Sequence, residues 1–211
     1  MKASNKFTFA RIIAAPIFFV IYFIPVWLNL PAGHPFSIAS VCFLIPLLGF
    51  AELTDYWDGH FARKNNEVSD FGKMFDPFAD VFLHLSTFTC FTFTGATDES
   101  RFGYMPVSCY IIILYREFSQ NFLRMACAKQ GTAVAARKGG KIKTVFYVIS
   151  CFVALAQESL YRLNLAATFD LPMQLFKYIG WGFFTVCVFL ALASFFDYMK
   201  NFGHVLHDAA Q

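Results

Sequence analysis

Six apolar segments near membrane-crossing length, a charged fraction of only 15% and 29 phenylalanines among 211 residues predict an all-α, polytopic membrane protein with six transmembrane helices. A soluble domain carries roughly 25% charged residues, and about 20 consecutive apolar residues suffice to cross the hydrocarbon. With no internal repeat, low-complexity linker or soluble stretch, residues 1–211 read as a single membrane domain.

The first span runs from about Phe9 to Leu30 and ends at Pro31-Ala32-Gly33, where proline and glycine break a helix. The second runs from about Pro35 to Arg63 and changes character midway. Residues 36–51 are almost wholly apolar, whereas residues 52–63 carry Glu52, Asp55, Asp58 and Arg63. A polar stretch over 64–72, ending in Gly72, reads as a tight turn. The third span starts near Lys73 and reaches about Gly95. The fourth, about Gly103 to Ala128, holds Arg116, Glu117 and Arg124 within apolar sequence. The fifth covers about Lys141 to Leu160 and the sixth about Pro172 to Tyr198.

The net charge of +3 is small, but basic residues cluster at 2–11, 63–73 and 129–143. Cytoplasmic loops carry the excess of lysine and arginine. A cytoplasmic N-terminus leaves only Arg101, Arg162 and Lys177 on the outer side and puts the 52–80 region at the cytoplasmic face, as in a bacterial inner membrane. No basic run is long enough for a nucleic-acid arm. The six cysteines stand singly, without metal-ligand spacing, and read as small buried apolar residues. The abundant aromatics, Trp27, Trp57 and Trp181 among them, read as lipid contacts and interfacial anchors.

The chemistry-bearing segment is Asp55-x2-Asp58-Gly59-x2-Ala62-Arg63-x8-Gly72-x3-Asp76-x3-Asp80. Asp55 and Asp58 share one helix face, as do Asp76 and Asp80. Two antiparallel helices joined by the 64–72 turn can bring the four carboxylates together. Any one of these aspartates alone reads as a solvated helix cap. Four together in or near a bilayer cost several kcal/mol each unless paired or metal-bound. Arg63, Lys64 and Lys73 are too few to neutralise them. Two divalent cations balance four carboxylates, and hard oxygen ligands favour Mg²⁺ or Mn²⁺. Such a pair suits displacement at phosphorus, where both entering and leaving oxygens need stabilising. The small Gly59 and Ala62 allow a base or pyrophosphate to approach the helix, Arg63 suits phosphate oxygens, and Gly72 permits close approach at the third helix. At about 5–7% usage per residue type, a chance match to all eight positions is on the order of 10⁻⁸ over the chain.

This pattern resembles the signature of the CDP-alcohol phosphatidyltransferases. The resemblance implies a six-helix membrane fold, usually homodimeric, with the active site at the cytoplasmic side of the bundle. It implies a CDP-linked lipid donor, release of CMP and dependence on Mg²⁺ or Mn²⁺. Carried onto this chain, it makes Asp55, Asp58 and Asp76 the main metal ligands. Asp80 becomes the general base, close to the second metal, and Gly59, Ala62, Arg63 and Gly72 hold the cytidine diphosphate.

Three further stretches resemble the branch of that family that joins CDP-diacylglycerol to glycerol 3-phosphate: Thr8-x2-Arg11-x4-Pro16, Arg116-Glu117-x6-Arg124 and Gly140-Lys141-x-Lys143-Thr144. Independently, Arg116 lies near mid-span, where an unpaired guanidinium is expensive, so it faces a wet, protein-lined cavity. Arg124, eight residues on, points the same way, and Lys141 and Lys143 enter from the neighbouring loop. Such a group suits an acceptor bearing a phosphate. An ion pair between Arg116 and Glu117, with the lysines serving only topology, is the competing reading. Another acceptor, such as inositol phosphate, serine or another amino alcohol, would keep the same chemistry. A cation transporter is a further alternative, though transport does not call for Gly59, Ala62, Arg63 and Gly72 at fixed spacing. His84, four residues after Asp80, reads as a satisfied interior histidine or an orienter of the base. Beyond about residue 146 the chain looks generic, lipid-facing or part of a dimer seam.

Overall fold

The computed structural model describes residues 3–64, 70–94, 103–129 and 138–209, with side chains described at all of these except 3–5, 55, 56, 58–64, 70, 71, 73, 138, 173 and 204–209. Seven helices, and no strand, occur among the described residues: α1 (Ala3–Trp27), α2 (Pro35–Lys64), α3 (Asp70–Phe93), α4 (Val107–Lys129), α5 (Lys138–Arg162), α6 (Leu165–Thr168) and α7 (Met173–Ala209). The six long ones coincide with the six apolar segments. The boundaries shift by a few residues, and α3 begins at Asp70, so Gly72 lies inside a helix rather than closing a turn. The short α6 was not anticipated. It sits between Asn164 and Asp170, both in the left-handed region at φ 57° and 47°.

Four helical stretches are long and apolar enough to cross a membrane: Lys6–Trp27, Pro35–Thr54, Gly139–Arg162 and Gln174–Gly203. The α3 and α4 helices have comparable length, 24 and 23 residues, but their polar residues lower their apolarity. Those polar residues include Asp76, Asp80 and His84 on α3 and Arg116, Glu117, Gln120 and Arg124 on α4. The two long helices that fall short of that apolarity are both among those that line the candidate site.

In packing, α1 lies against α2 and α3, while α7 lies against α4 and α5. The α5 helix joins the two groups by touching α2 and α3 as well. Lipid tails are as apolar as these side chains, so helix association here rests on close packing and interhelical hydrogen bonds rather than on hydrophobic burial. The centre shows this: Phe88 meets Tyr147 and Phe184 edge-on, with ring centroids 5.1 and 5.3 Å apart. A Cβ on Gly180 would lie 2.9 Å from the Tyr104 carbonyl oxygen and 3.0 Å from Gln157 Oε1, so α7 comes this close only without a side chain there. Around the outside, Phe43, Phe118, Phe122, Phe189 and Phe196 are more than half exposed, as expected for rings that face lipid. Cys42 is also exposed on α2, in contrast to the buried position expected of it; Cys90, Cys127, Cys151 and Cys187 are buried and Cys109 is partly buried.

The C-terminal end of α5 holds a closed polar cluster. Arg162 is 2% exposed and Glu158 0%. Arg162 Nε donates to Glu158 Oε1 at 2.5 Å, Nη1 to Ser40 Oγ at 2.5 Å and Nη2 to the Tyr22 carbonyl at 2.8 Å. Tyr104 Oη donates to the second Glu158 oxygen at 2.7 Å. The guanidinium also lies 4.7 Å over the Tyr22 ring, and Gly33 N–H donates to the Arg162 carbonyl at 3.0 Å. One cation and one carboxylate thus tie α1, α2, the 103–106 connection and α5 together.

Candidate active site

Near the other end of α5, a cavity of about 670 Å³ opens among α3, α4, α5 and α7. Its α3 wall is Pro77, Asp80, Val81, His84 and Leu85. Asp76 and Asp80 lie one helical turn apart on the same face. Both are anchored by α1: Thr8 Oγ1 donates to Asp76 Oδ1 at 2.6 Å, and Arg11 Nη1 pairs with Asp80 Oδ1. The Arg11 side chain is 1% exposed while that of Asp80 is 28% exposed, so the carboxylate is held from behind and still reaches the cavity. Two of the residues quoted in the first-helix motif thereby acquire partners that their spacing did not reveal. One turn further, His84 Nδ1 lies 2.8 Å from the Asp80 carbonyl oxygen, and His84 Nε2 lies 3.4 Å from Glu52 Oε1 on α2. His84 is thus an interior histidine lying between α3 and α2, and both it and Glu52 line the cavity.

Asp55, Asp58, Gly59, Ala62 and Arg63 fall on the C-terminal turns of α2, but their side chains lie outside the described residues, as does the 65–69 connection. The meeting of four carboxylates is therefore not visible as such. Among the described residues, no group of three or more metal-ligating side chains is assembled. The donor set that is visible fits hard divalent ions: two carboxylates one turn apart, with Asp80 at a cavity wall. Gly72 lies in the first turn of α3 and is partly buried.

The opposite wall is basic. Arg116, Arg124, Lys141 and Lys143 all line the same cavity as Asp80. The structure thus brings together five residues that lie up to 63 positions apart in the sequence. Two of the four cations converge on Glu117. Lys143 Nζ donates to Glu117 Oε1 at 2.6 Å, Tyr147 Oη to the same oxygen at 3.0 Å, and Arg116 Nη1 to Oε2 at 2.8 Å. Arg116 is braced further by α7: Nε donates to the Ala191 carbonyl at 3.0 Å and Nη2 to Ser194 Oγ at 3.2 Å. Nη2 also reaches Gln120 Oε1 at 3.4 Å. The Arg116–Glu117 pair raised as a competing reading is present, and it lies in the cavity wall rather than apart from it.

Arg124 and Lys141 differ from the other two. Arg124 packs 5.7 Å over the Tyr198 ring, and its buried Nε has no hydrogen-bond partner among the described residues. Lys141 is exposed. Among the described residues, four cations against Glu117 leave three positive charges on this wall. Glu117, Tyr147, Ser194 and Tyr198 were not singled out from the sequence as site residues, and three of them lie in the part beyond residue 146 that looked generic. A signal was present: Lys143 and Tyr147 on α5, and Ser194 and Tyr198 on α7, are polar pairs four apart in apolar helices, the spacing of one shared face.

Helices of membrane-crossing length, with Asp80 and four basic residues lining one cavity among them, fit a membrane protein that handles anionic groups. Comparison with known proteins makes the class specific. The family model for CDP-alcohol phosphatidyltransferase matches residues 1–186, and the chain belongs to that family, whose members are transferases. It is similar to the CDP-diacylglycerol–glycerol-3-phosphate 3-phosphatidyltransferase of Treponema pallidum (strain Nichols), at 36% identity over 98% of this chain and 91% of that protein. It is also similar to the proteins of the same name from Bacillus subtilis (strain 168) and Mycoplasma genitalium. The first is 33% identical over 86% of this chain and 92% of its own length. The second is 30% identical over 85% of this chain and 77% of its own length.

Proposed function

We propose that this protein transfers the phosphatidyl group of CDP-diacylglycerol to glycerol 3-phosphate, giving phosphatidylglycerophosphate and CMP. The observation that carries the proposal is the single cavity in which Asp80 faces Arg116, Arg124, Lys141 and Lys143. The relatives named for this reaction align over most of the chain. In this reading the chain crosses the membrane six times as one domain, with α3 and α4 as the two polar crossings. The cavity faces the cytoplasm, where the basic clusters accumulate, and the enzyme resides in a bacterial inner membrane as a homodimer.

Asp55, Asp58, Asp76 and Asp80 are the residues to hold two Mg²⁺ or Mn²⁺ ions, in a family that is generally dependent on divalent cations. When bound, such ions supply charge stabilisation on the pyrophosphate and the departing CMP. Gly59, Ala62, Arg63 and Gly72 hold the cytidine diphosphate. The acceptor's phosphate dianion sits against Arg124, Lys141 and Lys143, with Arg116 behind, which turns its 1-hydroxyl toward α3. Asp80, oriented by Arg11, accepts the hydroxyl proton. The freed oxygen forms the new bond to the lipid-side phosphorus as the bond to CMP breaks. The acyl chains remain in lipid, which requires lateral access to the cavity.

The test is CMP release by the purified chain in detergent, supplied with CDP-diacylglycerol and glycerol 3-phosphate. Release that needs both substrates, stops on exhaustive chelation and returns with Mg²⁺ or Mn²⁺ is the expected result. Release unaffected by chelation would remove the metals from the account. Release with serine or inositol phosphate but not glycerol 3-phosphate would change the acceptor.

A further inference from the structure

We infer that Glu117 is a positioning residue for the acceptor: it fixes the directions in which Lys143 and Arg116 present their remaining N–H groups to an incoming phosphate. The inference rests on the acceptor reading above and deepens it.

A carboxylate in the wall of an anion site is at first sight misplaced, since it repels the ligand. Its geometry explains it. Glu117 is 2% exposed and uses both oxygens, holding Lys143 and Tyr147 on one and Arg116 on the other. Lysine is a flexible four-carbon stem with a rotatable ammonium. Here the ammonium is confined on two sides, by Glu117 at 2.6 Å and by the Tyr147 ring, 4.6 Å from its centroid. One of its three N–H groups is committed, and two remain for a ligand.

Arg116 is held on more sides. Of its five N–H donors, one goes to the Ala191 carbonyl, two leave Nη2 for Ser194 and Gln120, and one goes to Glu117. A single Nη1 N–H is left. Glu117 thus couples α4, α5 and α7 around two cations that each keep spare donors at the cavity. Arg124 and Lys141 have no carboxylate partner among the described residues and supply unspent charge. The wall combines fixed donors with free charge.

Two roles for Glu117 predict opposite signs. If it only offsets charge, Glu117→Gln adds one positive charge to the wall and tightens anion binding. If it positions, the same change releases Lys143 and loosens Arg116, and binding weakens despite the added charge. Glycerol 3-phosphate and, separately, inorganic phosphate are titrated calorimetrically into the purified protein, alongside steady-state kinetics. We expect Glu117→Gln to weaken both anions by about tenfold or more. The KM for glycerol 3-phosphate should rise in step, while the KM for CDP-diacylglycerol stays within about twofold. Ser194→Ala, which removes one brace from Arg116, and Tyr147→Phe, which removes one donor to Glu117, should each weaken the anions by roughly two- to fivefold. Equal or tighter anion binding in Glu117→Gln overturns the inference. If that variant does not fold, unchanged affinities in both Ser194→Ala and Tyr147→Phe overturn it instead. A wild-type protein that binds phosphate with this Glu117 dependence yet does not consume glycerol 3-phosphate overturns the acceptor reading alone. One that binds neither anion overturns both.

Discussion

The two buried charge clusters along α5 are built from the same residue types and differ in whether they open on the cavity. At one end, Glu158 pairs with Arg162, every guanidinium nitrogen of which is bonded among the described residues, and neither takes part in the cavity wall. At the other, Glu117 serves Arg116 and Lys143 while Arg124 and Lys141 stand beside it, and all five line the cavity. About 15 residues of helix, roughly 22 Å at 1.5 Å per residue, separate Lys143 from Glu158. A pair sealed among helices binds them to one another. A cluster with several cations that opens on a cavity has the charge and access that an anion needs. Access to the cavity distinguishes the two ends, whereas a list of buried ion pairs does not.

Substitutions should separate the two ends. The largest effect is expected from Asp80→Asn, which keeps shape and removes the proton acceptor. Turnover per folded molecule should fall by about 10²–10⁴-fold; removing the charge beside buried Arg11 should also lower the unfolding midpoint in detergent. Normal turnover would remove Asp80 from the base role. Arg162→Met should act on stability alone, because it leaves Glu158 buried without its partner. A loss of about 3–5 kcal/mol is expected in denaturant unfolding, while the folded fraction keeps its KM for glycerol 3-phosphate. A raised KM with unchanged stability would mean that the Glu158 end is not a lock. The smallest effect should come from Tyr104→Phe, which deletes one hydrogen bond to Glu158. It should cost about 1–3 kcal/mol of stability with no kinetic change. A kinetic defect here would tie the two ends together.

Much of this arrangement can be read before folding. Six apolar segments coincide with the six long helices, and four of these are long and apolar enough to cross a bilayer. Asp76 and Asp80 share a face because four residues make about one helical turn. Arg116 could be assigned to a cavity because a cation inside apolar sequence needs a polar surface, Arg124 because it shares that helix face, and Lys141 and Lys143 because they enter from the neighbouring loop. What could not be read were partnerships across helices. Nothing local pairs Lys143 with Glu117, or Thr8 with Asp76, at separations of 26 and 68 residues. The chain beyond residue 146 looked generic because Glu158, Arg162, Ser194 and Tyr198 are diluted among apolar neighbours. Their roles arise only when α5 and α7 pack. The sequence places the start of α3 near Lys73 rather than at Asp70 because Asp70 and Phe71 follow a polar run that reads as a turn.

The central claim, that the basic wall reads the phosphate of the acceptor, is tested most directly by comparing kcat/KM for glycerol 3-phosphate and for glycerol. The wild-type protein should prefer the phosphate ester by roughly 10⁴-fold, as for a site whose polar groups are left unpaired by the smaller analogue. Lys143→Gln should erase a large part of that preference. Equal use of glycerol by the wild-type protein would contradict the account.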